Sequence, residues 1–579
     1  MASKVLGIEQ DCEPHEDDGQ DAADAAIEAL LTEVDAALPE GFELGERDIM
    51  RLHNNEERVH VCAPIHPVVQ ARHGDGTGWC HLVRFLAADD SLREAIIPAR
   101  QLVANPTQAL AALVDQGFQF RGRAGDICAL IQRMASPVIA EAVDVTGWVG
   151  RAFDTYVMAN GKTLAWTGNA VEESPARAVF TGRPRQRVAH HGTLEEWSRN
   201  VVGTDPENTP VVIGACIAFA PAILSHTGNP SFLLHLSGNT TAQAACRAVA
   251  ASAWGEVGAL EISWERPARE IVAEIARARD GLLILSGYEP HHARKVEAVS
   301  TALAAQDGDP QRGGRVVILS TGAVPLKDPN NQHGLSDLGS MIDLDTSSWP
   351  SRSAEDAIAA SSEFYGTFGP AAVSALIKYK TRQEGDLESY LDIRSKDILQ
   401  QMRLETKTRI DAETSYVSTA LGTLFSAGHF MMNRKVLLWG KPRAPVDVLG
   451  AIAQDWRRNH LGGLDDAGRA LLMIIADRVA ELSQDGLEPL ESPEIAYTTT
   501  GPGWQDDSFF YLTTATIADI ARQANQPLKG VIARLKAQGL LHPGSDRGDK
   551  FRMTSRIAGR PRAYRVSRQL LSFAENLPQ

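Results

Sequence analysis

The sequence predicts a multidomain protein of the α/β and α classes, and three observations support this fold class. The chain has 579 residues, several times the length of an ordinary domain. Strands alternate with helices in its middle third, and the periodicity of the next region is helical throughout. A basic segment closes a chain whose net charge is −16. Different parts of the chain therefore have different architectures.

Changes in composition and periodicity divide the chain into six segments. Helical spacing of apolar residues up to Pro39 follows an acidic start, and short strands follow that helix. We expect an acidic tail and amphipathic helix at 1–40, a β-rich N-terminal module at 41–205, a degenerate P-loop-like α/β core at 206–352, a helical region at 353–485, a linker at 486–508 and a winged-helix-like basic module at 509–579.

Composition excludes several classes of protein. The acidic balance excludes a wholly basic, histone-like nucleic-acid binder, although a local basic face remains possible. Six widely spaced cysteines without a CxxC pair do not form a secreted disulfide framework, so we expect a cytoplasmic protein. The longest apolar stretch, 211–224, is short for a membrane span and contains Pro221. We expect it to be a buried core element and expect no membrane partner.

The β-rich module contains a group of residues that could suggest zinc. Strands at 59–63 and 79–85 flank a polar turn, so we expect a hairpin with Cys62 and Cys80 on its two strands. The spacing matches no compact zinc site, and we interpret the group as packing residues. Its members are Cys62, His66, His73, Cys80 and His81.

A candidate phosphate-binding loop follows the apolar strand 232–236. A strand, a glycine-containing loop and a helix N-terminus favour an anion, because backbone N–H groups and the helix dipole point at it. A nucleotide site also needs a lysine for the phosphates and a hydroxyl for Mg²⁺. If Gln243 holds the lysine position, Ala244 holds that of the hydroxyl. The loop and helix start read Gly238, Asn239, Thr240, Thr241, Ala242, Gln243 and Ala244.

The acidic pair of such a site is missing as well. It normally ends a later apolar strand, where it holds the metal and activates water. Here the strand 282–285 is followed by Ser286 and Gly287. Both halves of the expected site therefore lack their charged groups.

Several stretches together resemble a known family. They are Thr146-Gly147-Trp148, the loop at Gly238, 250–255, 280–285 and 319–322, the last with Ser320 and Thr321. In order and spacing they resemble the helicase-like family called domain of unknown function 927, found in phages, plasmids and integrated elements. That group comprises superfamily II helicases and inactivated derivatives. The resemblance runs from about Gly41 to the C-terminus.

The resemblance implies a degenerate P-loop NTPase-like core of the RecA/AAA type. Active-looking members carry Gly-Lys-Thr in the loop, Asp-Glu after the later strand, and Glu where this chain has Ala323. This chain departs from the family at all three places, so we expect an inactivated derivative with no catalytic residues and no cofactor. The alternative is that bases such as Arg247 or Arg294 rescue ATP and Mg²⁺ binding.

The C-terminal segment predicts a nucleic-acid interface. Helices at 514–521 and 528–538 precede a glycine-interrupted basic stretch, the pattern of a winged helix. Residues 529–568 contain eleven Lys or Arg and two Asp. Such a face would neutralise several phosphates, so we expect duplex DNA as the partner. The candidate DNA-binding residues are Lys529, Arg534, Lys536, Lys550, Arg552, Arg556, Arg560 and Arg562.

The winged-helix pattern and a pair of histidines each allow a second interpretation. The winged helix could instead make protein contacts, with its arginines paired to acidic neighbours. His291 and His292 could be catalytic, but no nucleophile or carboxylate adjoins them in the sequence, so we interpret them as a loop surface.

We therefore expect a DNA-associated, non-hydrolysing accessory or scaffold in the replication or maintenance of a mobile genetic element. Family membership implies a homo-oligomer or an active helicase or primase relative as a partner. The alternatives are an ATP-dependent DNA helicase or translocase with an unconventional site, and a protein-interaction scaffold without nucleic-acid contact.

Overall fold

The computed structural model has two compact units, 1–185 and 186–579. It describes residues 17–52, 58–134, 138–185, 187–203, 208–307, 314–326, 341–349, 353–382, 386–390, 392–393, 396, 398, 412–439, 444–460, 466–490, 501–537, 540–542, 550–553, 557 and 561–571. The acidic start 1–16 lies outside these ranges. The finer segment boundaries predicted above stay predictions.

The first unit combines one long helix with three sheets and three short helices. Helix α1, Asp17–Ala37, ends just before Pro39 and buries Leu30 and Val34. The helices α2 to α4 are Ala99–Ala104, Pro106–Val114 and Ala124–Arg133. The strands β1 to β12 are Phe42–Leu44, Ile49–Leu52, Arg58–Cys62, Ile65–Arg72, Cys80–Leu86, Leu92–Pro98, Ile139–Val143, Gly147–Trp148, Thr155–Val157, Thr163–Trp166, Val171–Glu173 and Ala178–Phe180. The sheet orders are β1-β2-β3, β12-β7-β4-β5-β6 and β11-β10-β9-β8.

The hairpin of this unit differs from the prediction. Its outgoing strand is β4 rather than 59–63, and β4 pairs with β5 in antiparallel register, Ala71 opposite Cys80. Cys62 ends β3 in a different sheet, since the chain turns at Pro64 before β4 begins. Cys62 and Cys80 therefore do not share a hairpin, although both are buried.

The second unit begins with a mostly parallel α/β region. A short helix α5, Leu194–Glu196, continues as a π-helical turn over Trp197–Val202. The strands β13 to β17 then form one parallel sheet in the order β14-β15-β16-β13-β17. They are Phe232–Ser237, Glu261–Ser263, Leu282–Tyr288, Val317–Gly322 and Met341–Asp345. The helices α6 to α9 are Thr209–Thr227, Thr240–Ser252, Ala268–Arg277 and Ala293–Asp307.

Apolar burial explains this arrangement. Each of the strands β13, β15 and β16 is an almost continuous run of buried residues, as expected for parallel strands covered on both faces. Helices α8 and α9 pack against one face through residues such as Ile271 and Val296. Among the described residues, α6 alone is long and apolar enough to cross a membrane, and 89% of that window is buried inside the protein. This burial is the behaviour of a core helix, as the sequence predicts.

The rest of the second unit is helical and then ends in a second sheet. The helices α10 to α16 are Ala354–Glu363, Phe368–Thr381, Ala412–Asn433, Ala444–His460, Asp466–Asp485, Thr514–Gln523 and Leu528–Ala537. The strands β18 to β22 are Glu488–Pro489, Gly503–Gln505, Phe509–Leu512, Phe551–Arg552 and Arg562–Ser567, in the sheet order β18-β19-β20-β22-β21. Helices α14, α15 and α16 share one buried cluster with β20 and β22. The described part of the 486–508 segment thus contributes strands to the C-terminal sheet.

Candidate functional sites

A side chain of the loop after β13 caps the helix that follows it. Gly238 has a φ of +99°, which reverses the chain between β13 and α7. Asn239 is the N-cap of α7, and its Oδ1 accepts hydrogen bonds from the backbone N–H groups of Thr241 (3.1 Å) and Ala242 (3.2 Å). These two amides at the start of α7 are therefore already used by a side chain of the loop.

The segment that follows β17 closes over this loop. We call residues 345–349 the β17 strap. The backbone N–H of Thr346 donates to the carbonyl of Ser237 (2.8 Å), and its hydroxyl donates to the same oxygen (2.7 Å). The Nδ2 of Asn239 donates in turn to the carbonyl of Trp349 (3.3 Å). Hydrogen bonds in both directions therefore fix the strap to the loop.

The strap also brings a carboxylate to the glycine of the loop. A Cβ atom on Gly238 would lie 2.7 Å from Oδ1 of Asp345 and 2.6 Å from Oγ of Ser347. Asp345 is held there because its Oδ1 accepts from the N–H (2.9 Å) and the hydroxyl (2.6 Å) of Ser347. The space beside the loop glycine is thus taken by acceptor and hydroxyl groups of the chain itself.

Gln243, at the lysine position, points to the end of another strand. Its side chain is buried, and its Nε2 donates to the carbonyl of Gly322 at the end of β16 (3.2 Å). Ala244 is half-buried and has no hydroxyl to offer. Thr240, the first residue of α7, has an exposed side chain. The side chain at the lysine position therefore makes a contact that serves the fold, and the side chain at the hydroxyl position cannot bind a metal.

Ser320 and Thr321 are buried in β16. The Oγ of Ser320 lies 2.8 Å from Nδ1 of His235 and accepts from Nε1 of Trp264 (3.0 Å). Burial lowers the pKa of His235 and keeps this imidazole neutral. Ser320 thus joins β13, β14 and β16 within the sheet.

Strand β15 does not end where the sequence predicts. Ser286 and Gly287 form a bulge, and the strand continues to Tyr288 before Glu289 follows. The carbonyl of Ser286 accepts from the backbone N–H of Trp264 (3.0 Å), and Gly287 is exposed. The predicted end of this strand at Leu285 was therefore wrong, because the strand ends at Tyr288 and the acidic residue Glu289 follows it.

The interpretation of His291 and His292 as lacking a carboxylate neighbour was wrong. Oε1 of Glu265 lies 3.4 Å from Nε2 of His291 and 3.1 Å from Nε2 of His292, and Oε2 of Glu289 lies 3.4 Å from Nδ1 of His291. Glu265 is distant in sequence, but it follows β14 just as Glu289 follows the neighbouring strand β15. The rule that parallel strands meet at their carboxyl ends could have revealed the group.

The structure separates residues of the group that could suggest zinc in the first unit. Cys62 ends β3, whereas Cys80 begins β5 in another sheet, and the interpretation of the group as packing residues stays a prediction. Burial raises the pKa of Cys62 to about 12, so this thiol is not a ready metal ligand or nucleophile.

The two bases proposed to rescue nucleotide binding have different surroundings. Nη1 of Arg247 donates to Oε1 of Glu261 (2.6 Å), a partly buried pair that ties α7 to β14. Arg294 is exposed on α9. Arg247 therefore already has a carboxylate partner.

The C-terminal basic residues fall on one helix and one hairpin. On α16, Lys529 and Lys536 are exposed and Arg534 is half-buried. Arg552 of β21 lies directly opposite Arg562 of β22, and both are exposed. Lys550 lies over the ring of Tyr564, 5.4 Å from its centroid.

Two further arginines of this hairpin serve the fold instead. The guanidinium of Arg565 lies 4.9 Å from the ring centroid of Phe509 and 4.5 Å from that of Phe551. Arg568 donates to the carbonyl of Asp506 (2.7 Å) and to Oε1 of Gln505 (2.9 Å). The predicted contacts Arg556 and Arg560 lie outside the described residues.

Comparison with known proteins gives a family match for part of the chain and a similar fold for most of it. Residues 43–308 match the model of the domain of unknown function 927 (DUF927). The chain therefore carries a DUF927 domain, which confirms the family that the sequence resembles.

The fold is similar to that of a solved structure described as the active helicase Cch of SCCmec type IV. The TM-score is 0.56 at 12% sequence identity, and the similarity covers 93% of this chain and 99% of that one. At this identity the likeness concerns the fold alone. A search of curated proteins finds no significant match.

Proposed function

We propose that this chain is a cytoplasmic, DNA-associated, helicase-like protein that does not hydrolyse ATP, and that it acts as an accessory or scaffold in the replication or maintenance of a mobile genetic element. The observation that carries the proposal is the loop after β13, where Asn239 takes two amides of α7 and no lysine stands at the expected position. The basic C-terminal hairpin supports DNA as the partner.

The residues present do not fit Mg-ATP. Catalysis of phosphoryl transfer consists almost entirely of positioning and charge stabilisation by lysine, metal and donor groups. At this loop, Gln243 is bonded to Gly322, Ala244 offers no metal ligand, and the carboxylate of Asp345 accepts hydrogen bonds from Ser347. A triphosphate would find no lysine at the expected position to balance its charge.

The order of elements at the C-terminus supports a winged helix. Strand β20, helices α15 and α16 and the hairpin β21–β22 follow one another, and β22 pairs with both β20 and β21. In such a module the second helix suits the major groove and the hairpin suits the backbone. The facing arginines at 552 and 562 place positive charge on that hairpin.

A salt-dependent DNA-binding measurement tests the proposed partner. Duplex DNA binding of the full chain is measured at several salt concentrations, with and without the double change Arg552→Ala and Arg562→Ala. We expect weaker binding and a smaller salt dependence, by roughly 0.9 in the logarithmic slope for each phosphate that the protein no longer neutralises. Adding Arg556→Ala and Arg560→Ala should weaken binding further.

The matched control changes two arginines that are exposed in the α/β region, Arg266→Ala and Arg269→Ala. We expect this pair to leave DNA affinity unchanged. If the hairpin variant and the control bind DNA equally well, the hairpin is not the contact and a protein-interaction scaffold becomes the better function.

The similarity to an active helicase favours one second candidate, an ATP-dependent DNA helicase or translocase with an unconventional site. This second candidate function requires that DNA stimulate ATP turnover by the chain. Under our proposal, the chain instead contributes DNA binding to an assembly, either with copies of itself or with an active helicase or primase relative.

A further inference from the structure

The carboxyl ends of β14 and β15 hold a group of metal-ligating side chains that the proposed function does not use. Glu265 follows β14, and His291 and His292 follow β15 at the start of α9. One ligand atom from each of the three lies within 4.8 Å of the others. Carboxyl ends of strands in an open parallel sheet are the usual edge for ligand binding.

We propose that Glu265, His291 and His292 form a binding site for a divalent first-row transition metal, with Zn²⁺ as the ion that fits best. Two imidazoles and one carboxylate are a known ligand set for zinc, with a fourth position open to water. Hard ions such as Mg²⁺ and Ca²⁺ prefer oxygen ligands, so they should bind poorly here.

The distances agree with coordination to one ion. Metal–ligand bonds of about 2.0–2.2 Å in a tetrahedron place neighbouring ligand atoms roughly 3.3 Å apart. Oε1 of Glu265 lies 3.1 Å from Nε2 of His292 and 3.4 Å from Nε2 of His291. The two imidazole rings are 3.8 Å apart, so both can face the same point.

The environment of His292 supplies a second, independent observation. Its side chain is completely buried, and its Nε2 makes no hydrogen bond of acceptable geometry although the carboxylate is close. This buried ring nitrogen lies 3.1 Å from the exposed carboxylate of Glu265, at the point where the exposed His291 also lies close.

Metal binding has one local consequence. Nδ1 of His292 accepts a hydrogen bond from the backbone N–H of Glu289 (3.1 Å), so the ring proton of the metal-free protein lies on Nε2. Coordination through Nε2 moves that proton to Nδ1 through solvent, and the hydrogen bond to Glu289 is broken. The turn at 289–292 must therefore relax when the ion binds.

Direct metal titration tests the site in the full chain after treatment with a chelator. Zn²⁺ binding is measured by calorimetry, and Co²⁺ binding by its visible absorption bands. We expect one equivalent of either ion at this site. Glu265→Gln or His291→Ala should each weaken binding by more than the roughly 10- to 100-fold that loss of a supporting residue costs.

The controls separate this site from general metal binding. Glu265 and His291 are exposed, so neither change should disturb folding, and thermal unfolding without metal checks this. The exposed His190 and the exposed Glu270, which do not belong to the group, serve as matched controls through His190→Ala and Glu270→Gln. Equal affinity in the site variants and the wild type, or equal loss in the control variants, would overturn the proposal. DNA binding measured without metal is independent of this outcome.

Discussion

At the scale of single residues, Asn239 holds the loop after β13 to helix α7 and to the β17 strap through its side-chain hydrogen bonds. Its side chain accepts from two amides of α7 and donates to the β17 strap, so one residue caps the helix and fastens the strap. A phosphate would compete with Asn239 Oδ1 for the same backbone donors. The competition is intramolecular, which favours the side chain.

Asn239→Ala should therefore destabilise the second unit. Loss of an N-cap costs about 0.5–2 kcal/mol, and the hydrogen bond to Trp349 disappears with it. Chemical denaturation of the full chain measures the effect. Thr301→Ala, which removes an exposed hydroxyl bonded only within its own helix, is the control and should stay within about 0.5 kcal/mol. Equal stability of the two variants would contradict the capping role.

The buried His226 should make stability depend on pH. Burial, reinforced by the charge of Lys380, lowers its pKa from 6.5 to about 3. The unfolded chain then binds a proton that the folded chain excludes, so this contribution is complete above pH 6.5 and is lost as the pH falls towards 3. The expected slope is roughly 1.4 kcal/mol per pH unit.

His226→Gln should flatten the pH dependence of the free energy of unfolding between pH 6.5 and pH 4. Denaturation curves at several pH values measure it, with the exposed His190→Gln as the control. A slope identical to that of the wild type would show that His226 is not a source of acid destabilisation.

At the scale of elements, the sequence predicted those with strong periodicity and missed those whose position depends on distant partners. The apolar runs of β13 and β15 and the helix α7 were found, because buried parallel strands and an Ala-rich helix are visible locally. Strand β17 was missed, and so was its strap, which became relevant only once β17 paired with β13. The contact of Glu265 with His291 was missed for the same reason.

The close approach of strands β19 and β20 gives a test of how the C-terminal sheet is packed. Gly503 in β19 has a φ of +155°, and a Cβ there would lie 2.1 Å from the carbonyl oxygen of Tyr511 in β20. Gly503→Ala should therefore destabilise this sheet by roughly 1–3 kcal/mol.

Gly501 provides the matched control, since a Cβ at that position meets nothing within 4 Å. Thermal unfolding of Gly503→Ala and Gly501→Ala compares the two. We expect only the first to lower the melting temperature. Similar melting temperatures would show that β19 is not held against β20 as described.

At the scale of the whole molecule, the chain combines a fold similar to that of a helicase, a match to the DUF927 domain and a loop in which Asn239 caps two amides of α7. Composition alone indicated no particular activity, and the resemblance to a known family predicted the fold. The residues at Gly238, Gln243 and Ala244 then indicated a loss of nucleotide chemistry. The sequence alone could not show that the β17 strap lies beside the loop at Gly238, because the strap is about a hundred residues further along the chain.

Binding of Mg-ATP to the full chain, measured by calorimetry together with ATP turnover in the presence and absence of DNA, tests the central claim most directly. We predict no saturable binding at micromolar ATP and no turnover above the background of a protein-free control. Micromolar affinity with DNA-stimulated hydrolysis would contradict the claim that the β17 strap and Asn239 occupy the place of the phosphates.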